Sequence, residues 1–302
     1  MRDRTRSGLA GVGANLVWST TYPVTQLAMG LGAVPLTALR FVVAAALALP
    51  VLAAGRLPRG RALLAAIGLG LLGYGVAFLL QAEGIREAGA SLAALSIALE
   101  PLATMLFARI WLGERLSRLA GPAFALALLG TWLLAGAPRP GHDAHLAGIL
   151  LLVGTVLCYG VYNVLSKPVA EAVGEVPLAA VGALATGIAF APWLLLEVRL
   201  QSISPADFGW AAWLALGPTL LSSLLWFYAV RRAEVGFAVF FMYIQPVAGA
   251  LLSWVWLHES LSPVEILGGL MLLLAVYLGA RPAPKPVPAL GHASAGRGPR
   301  DS

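Results

Sequence analysis

The sequence predicts an all-α polytopic membrane protein, with ten transmembrane helices arranged as two inverted five-helix repeats around a central cavity. Three observations carry that prediction. First, 59% of the 302 residues are hydrophobic and 11% are charged, and the mean hydropathy is +0.84. A soluble domain carries roughly 25% charged residues, so these charges are too few to coat a surface that faces water. Second, apolar runs of roughly the 20 residues that span a bilayer recur along the chain with short connectors between them. Third, a phrase in the first half returns in the second at a fixed offset, with an odd number of runs per copy.

In chain order the expected spans are 8–29, 35–54, 62–85, 90–112, 119–137, 146–166, 176–196, 208–230, 235–257 and 263–280. Only helices or closed barrels satisfy their own backbone in lipid, and runs of this length select helices. Six of these spans (the first and the fifth to ninth) contain no Asp, Glu, Lys or Arg. The N-terminus, "MRDRTRSGLAGVGANLVW", imitates a secretory signal, but its apolar part continues for a full span without a cleavage site, so it is read as an uncleaved first helix. The segment 281–302, rich in Pro, Gly and Ala, reads as a disordered cytoplasmic tail. Placing the N-terminus inside puts 16 of the 20 Lys and Arg residues on the cytoplasmic side, which orients both termini to the cytoplasm.

The repeat is clearest at an offset of 145 residues. "GIREAGASLAALSIALEP" (84–101) meets "AVRRAEVGFAVFFMYIQP" (229–246), and "LSRLAGPAFALALLGTWL" (116–133) meets "LSPVEILGGLMLLLAVYL" (261–278). Pro101 pairs with Pro246, Trp111 with Trp256 and Glu114 with Glu259. The chain therefore reads as two units, 8–137 and 146–280. A unit with five spans begins its second copy from the opposite side of the bilayer, so the halves must be inverted. Inverted halves with proline-interrupted helices around a midplane site suit alternating access, with Pro101 and Pro246 as hinges.

These same stretches carry a family resemblance. "ALEPLATMLFARIWLGERLS" (98–117), "WVWLHESLS" (254–262), "WSTTYPVTQ" (18–26) and "YNVLSKPV" (162–169) resemble the EamA repeat of the drug/metabolite transporter (DMT) superfamily, over about residues 8 to 280. The resemblance implies a secondary transporter in a bacterial inner (plasma) membrane, of the type that exports amino acids or other metabolites. The copies differ at Gln26 against Lys167 and at Gly113 against His258, so strict functional symmetry is not expected.

Glu100 is the foremost candidate site residue. It lies about halfway along the fourth span, where an ionised carboxylate costs roughly 2.5 kcal/mol or more on insertion scales. It could bind a substrate ammonium, carry a proton, or hydrogen-bond a neighbouring helix. Its repeat partner, Gln245, is neutral. Trp18, Tyr74, Tyr159 and Trp226 are the preferred aromatic liners of the cavity, although packing and interfacial anchoring compete for each. Gln81 and Asn163 are polar within apolar helices and either line the cavity or bond a neighbouring helix. Helices 1, 3, 4, 6, 8 and 9 should supply the lining.

Lys167 and Arg40 read as side chains that snorkel to the headgroups, and Glu114 and Glu259 as loop or cap residues. Gly68, Gly70 and Gly73 have dinucleotide-fingerprint spacing, but no strand precedes them, so they read as close-packing positions between helices.

The expected partners are a small-molecule substrate and the lipid bilayer, with no nucleic acid, and the chain is read as a monomer. No cofactor and no metal are expected. Export of small amphiphilic metabolites, above all amino acids with a lean to aromatic or hydrophobic ones, is the leading expectation. Efflux of cationic drugs is the alternative. Anionic substrates fit poorly, because cations near mid-span are scarce. An enzyme finds little support, since every His and Asp falls outside the span cores; a channel is the other rival class.

Overall fold

The computed structural model describes residues 2–28, 33–55, 57–88, 96, 98–115, 117–134, 146–197, 203–257 and 262–279. Among these residues the fold is helical, without a strand. The helices are α1 (Arg2–Ser19), α2 (Thr21–Leu27), α3 (Ala33–Ala54), α4 (Gly60–Gly70), α5 (Ala77–Ala88), α6 (Glu100–Trp111), α7 (Ala120–Leu134), α8 (Leu146–Val173), α9 (Glu175–Glu197), α10 (Pro205–Leu214), α11 (Ser222–Arg232), α12 (Val235–Ala238), α13 (Ile244–Leu257) and α14 (Pro263–Gly279). A π-helical turn, Leu71–Val76, joins α4 to α5. A second, Ala215–Leu221, joins α10 to α11, and a 3₁₀ segment, Val239–Tyr243, joins α12 to α13.

Among the described residues six helices are long and apolar enough to cross a membrane: Pro35–Ala54, Gly60–Gln81, Leu146–Val173, Glu175–Leu194, Pro205–Arg232 and Val235–Trp256. Two apolar helices, Ala120–Leu133 and Pro263–Gly279, are shorter. The expected first span, 8–29, is divided near Thr20 between α1 and α2. The expected fourth span, 90–112, lies partly outside the described residues, as do the disordered-tail reading of 281–302 and the cap reading of Glu259.

Local chemistry sets many boundaries. Ser204 accepts from the backbone N–H of Asp207 (3.1 Å) and donates its own backbone N–H to the Asp207 carboxylate (3.2 Å), a reciprocal cap at the start of α10. Ser262 and Glu265 repeat the arrangement at α14, at 3.2 and 2.6 Å. Gly174 alone connects α8 to α9. Its φ of +88° is left-handed backbone, which glycine adopts without a Cβ clash.

The surface is apolar where a soluble protein's would be polar. Leu9, Leu64, Leu150, Ile188 and Leu270 stand more than half exposed, while Asn15, Thr104, Asn163, Ser222 and Ser223 are buried. Water would not tolerate so much contiguous apolar surface, whereas lipid does. Small residues let the helices approach closely. Gly70 lies against Gly182, Gly187 against Phe41 and Ala45, and Gly130 against Gly268. The helix pairs formed this way join the two halves of the chain: α3 runs along α9, α14 along α7, α5 along α8, and α1 along α11.

Candidate functional site

The site starts from a proline. Within Ala215–Leu221, Pro218 has no N–H to give to the preceding turn, and the helix widens to π there. The Thr219 hydroxyl takes up the Leu214 carbonyl instead, at 2.9 Å. That same oxygen accepts a 2.7 Å hydrogen bond from Arg40 Nε, which reaches across from α3. One turn on, Ser223 donates to the Thr219 carbonyl (2.6 Å) and accepts from the Tyr74 hydroxyl. Tyr74 sits in the other π turn. The Tyr162 ring from α8 lies 5.8 Å from it, centroid to centroid.

Beside Tyr162 in sequence, Asn163 donates its amide to Glu100 Oε1 at 2.8 Å and to Thr104 at 3.3 Å. Glu100 is 8% exposed and Asn163 2%. Glu100 opens α6, whose first turn holds Pro101, and just before it the chain makes a tighter turn in which the Leu99 N–H donates to the Ser96 carbonyl at 2.9 Å. The matching break precedes Pro246, where the 3₁₀ segment ends and α13 begins. Each proline thus falls in the first turn of the α-helix that follows a tighter turn, where its missing N–H costs no helical hydrogen bond. The Tyr243 hydroxyl donates to the Ala98 carbonyl (3.0 Å), tying the two broken helices together. The Trp18 and Trp226 rings meet at 6.0 Å.

The predicted residues are therefore distributed as follows. Glu100, Asn163 and Tyr74 belong to the polar cluster between the halves. Trp18 and Trp226 pair beside it, and Tyr159 is within electrostatic range of Arg40. Gln81 lies two turns along from Tyr74, half-buried, and is not joined to the described cluster. Gln245 is half-buried at the start of α13, next to Pro246. Thr104, Thr219, Ser223 and Arg40 were not foreseen as site residues.

Three readings are corrected. Arg40 does not snorkel: it is 8% exposed, with its guanidinium 5.5 and 5.8 Å from the Phe41 and Phe78 ring centres. The scarcity of central cations is corrected with it, because the side chain crosses from α3 to the middle of the Pro205–Arg232 helix. Lys167 does not snorkel either. It pairs with Glu114 at 3.2 Å and donates to the Ala233 carbonyl at 2.9 Å. Glu114 also accepts the backbone N–H groups of Val235 and Gly236, both at 2.8 Å, so its expected cap role is what the geometry displays. Close by, Glu175 bridges Arg231 (2.7 Å) and Arg232 (2.5 Å). Ser7 donates to the Ala229 carbonyl and Arg4 covers the Phe237 ring, which places all these contacts at the N-terminal end of the bundle.

Gly73 faces the Tyr162 ring and the Gly70 carbonyl accepts from Thr186, so the glycines of 68–75 serve helix contact. No group of three metal-binding side chains occurs among the described residues. The His142, Asp143 and His145 loop lies outside them.

A multi-pass bundle whose two halves meet across a buried polar cluster is the construction of a membrane transporter. The chain belongs to the EamA-like transporter family, whose domain matches it twice, over residues 6–136 and 146–280. It is 27% identical to a "Probable terminal-alkyne amino-acid exporter" of Streptantibioticus cattleyicolor, covering 87% of this chain and 89% of that protein. It is 31% identical to the "Aromatic amino acid exporter YddG" of Ancylobacter novellus, over 83% and 88%. It is 28% identical to the "Uncharacterized inner membrane transporter YedA" of Escherichia coli K12, over 87% of each. A solved crystal structure superposes with a TM-score of 0.76 at 25% identity, covering 91% of this chain and 96% of that one. The protein is a transporter rather than an enzyme.

Proposed function

We propose that the protein exports small amphiphilic metabolites, foremost amino acids with aromatic or hydrophobic side chains, by alternating access across a bacterial inner membrane. The carrying observation is Glu100, a carboxyl buried between the halves and held by Asn163 from the opposite half. A carboxylate in a dry, aromatic setting recognises an ammonium through charge-assisted hydrogen bonds, and the surrounding rings accept an apolar side chain.

The finer architecture belongs to the same reading: ten spans, two inverted five-helix units and both termini in the cytoplasm. The two π turns support it. Leu71–Val76 falls, at the repeat offset of 145, on residues 216–221, within the π turn Ala215–Leu221. The proline-opened helices also match between halves. On this topology the Glu114–Lys167 and Glu175–Arg231–Arg232 contacts close the cytoplasmic end, and rocking of one half against the other would break them to admit substrate.

Efflux of cationic drugs is the second reading, favoured by the same buried acid. Counterflow in proteoliposomes separates the two. The account expects saturable accumulation of labelled phenylalanine in vesicles preloaded with phenylalanine, and loss of that accumulation in Glu100→Gln with the fold intact. Unchanged counterflow in that variant refutes the site, and uptake of organic cations alone transfers the protein to the drug reading. Leak without saturation would mark a channel.

A further inference from the structure

Arg40 is the charge that the reading above leaves unused. Its side chain is more than nine-tenths buried, yet among the described residues no carboxylate pairs with it. The hydrogen bond it makes to a described residue uses Nε, with Thr219 as acceptor at 2.7 Å. The two Nη groups, the ends of the fork that grips a carboxylate side-on, have no described partner. The Nε bond fixes the plane of that fork, and the Phe41 and Phe78 rings keep its surroundings dry. Tyr74 and Tyr159 are its nearest electrostatic neighbours, and neither carries a charge that would neutralise it. A buried cation without a counter-charge is costly in lipid, and donors left unspent around it mark a place that an anionic oxygen completes.

We infer that Arg40 receives the carboxylate of the transported molecule, so that the substrate carries a carboxylate as well as an amine. The inference rests on the small-molecule site proposed at Glu100 and narrows it. An amine alone would add a second positive charge to the site and leave Arg40 unmatched. A carboxylate without an amine would leave Glu100 unmatched. A zwitterion answers both, with no net charge carried across the membrane. Among the described residues Glu100 is held by Asn163 and Arg40 by Thr219, and the two are not ion-paired, which leaves each charge for a group of the ligand.

The test is equilibrium binding to the purified full-length protein, with four ligands sharing one ring: phenylalanine, phenylalaninamide, 3-phenylpropanoate and 2-phenylethylamine. The wild type is expected to bind phenylalanine more tightly than its amide by roughly 10-fold or more, the worth of one charge-assisted contact. Equal binding of the two overturns the role of Arg40 without any variant. Arg40→Gln should weaken phenylalanine and 3-phenylpropanoate by a similar factor and leave 2-phenylethylamine within about twofold. Arg40→Lys, which keeps the charge but loses the fork, should fall between, and provides the comparison if the glutamine variant does not remain monodisperse. Carboxylate binding that survives both substitutions overturns the inference. If 3-phenylpropanoate binds in an Arg40-dependent manner but phenylalanine does not, the amino-acid reading fails while the Arg40 site stands. If phenylalanine binds and Arg40→Gln leaves it unchanged, the reading stands and this site falls. If neither carboxylate binds, both fall.

Discussion

Asn163 and Glu100 form the contact on which the site turns. Each comes from a different half of the chain, and each is buried among apolar neighbours. Replacing Asn163 with Leu removes the donor while the carboxyl remains, and a buried acceptor left unpaired costs about 1–3 kcal/mol. Thermal unfolding in detergent should therefore fall measurably for Asn163→Leu, and the double variant Asn163→Leu with Glu100→Leu should recover part of the loss; a double variant less stable than the single would contradict the pairing. The site was partly legible at this scale. Glu100 and Asn163 announced themselves because a charge or amide inside an apolar run is costly unless used. Arg40 did not, since a single arginine near a span end has the same sequence appearance whether its long stem turns outward to the headgroups or inward to Thr219. The hydroxyls of Thr104, Thr219 and Ser223 gave no signal either: threonine and serine are common in transmembrane helices, and which face they occupy depends on packing that one sequence does not specify.

The helices themselves were easier to read. Apolar length placed the long spans, whereas the serine caps ahead of Pro205 and Pro263 came only with the structure. The π turns were not foreseen. One follows from Pro218, whose missing N–H breaks the ladder, but the other, at Leu71–Val76, contains no proline. Glycine contacts make the element scale testable. A Cβ at Gly73 would overlap the Tyr162 ring, and one at Gly70 would overlap the backbone at Gly182. Gly73→Val should therefore destabilise the protein by about 1–3 kcal/mol, the cost of overpacking, whereas Gly75→Val, where no atom lies within 4 Å of the added carbon, should leave unfolding nearly unchanged. Equal effects at the two positions would contradict the described packing of the Leu71–Val76 turn against α8. At the hinges, Pro101→Ala and Pro246→Ala should leave the melting temperature close to wild type but slow counterflow, because alanine permits an unbroken helix where the proline forbids one. Wild-type counterflow in both variants would remove the hinge role.

For the whole molecule, the repeat read from residue spacing is the feature that organises the rest. The contacts that define the site cross between the halves: Arg40 to Thr219, Tyr74 to Ser223, Glu100 to Asn163, Tyr243 to Ala98. The contacts at the N-terminal end cross as well, through Glu114 to Lys167 and to the start of α12. A carrier built this way moves substrate only if the second set opens while the first reorganises. The most direct measurement is counterflow by a Cys158→Ala protein bearing Glu114→Cys and Lys167→Cys, before and after treatment with a short bifunctional thiol reagent. The account predicts that each single-cysteine control transports with or without the reagent, while the cross-linked double variant stops. Undiminished counterflow through the cross-linked protein would contradict movement of the two halves against each other.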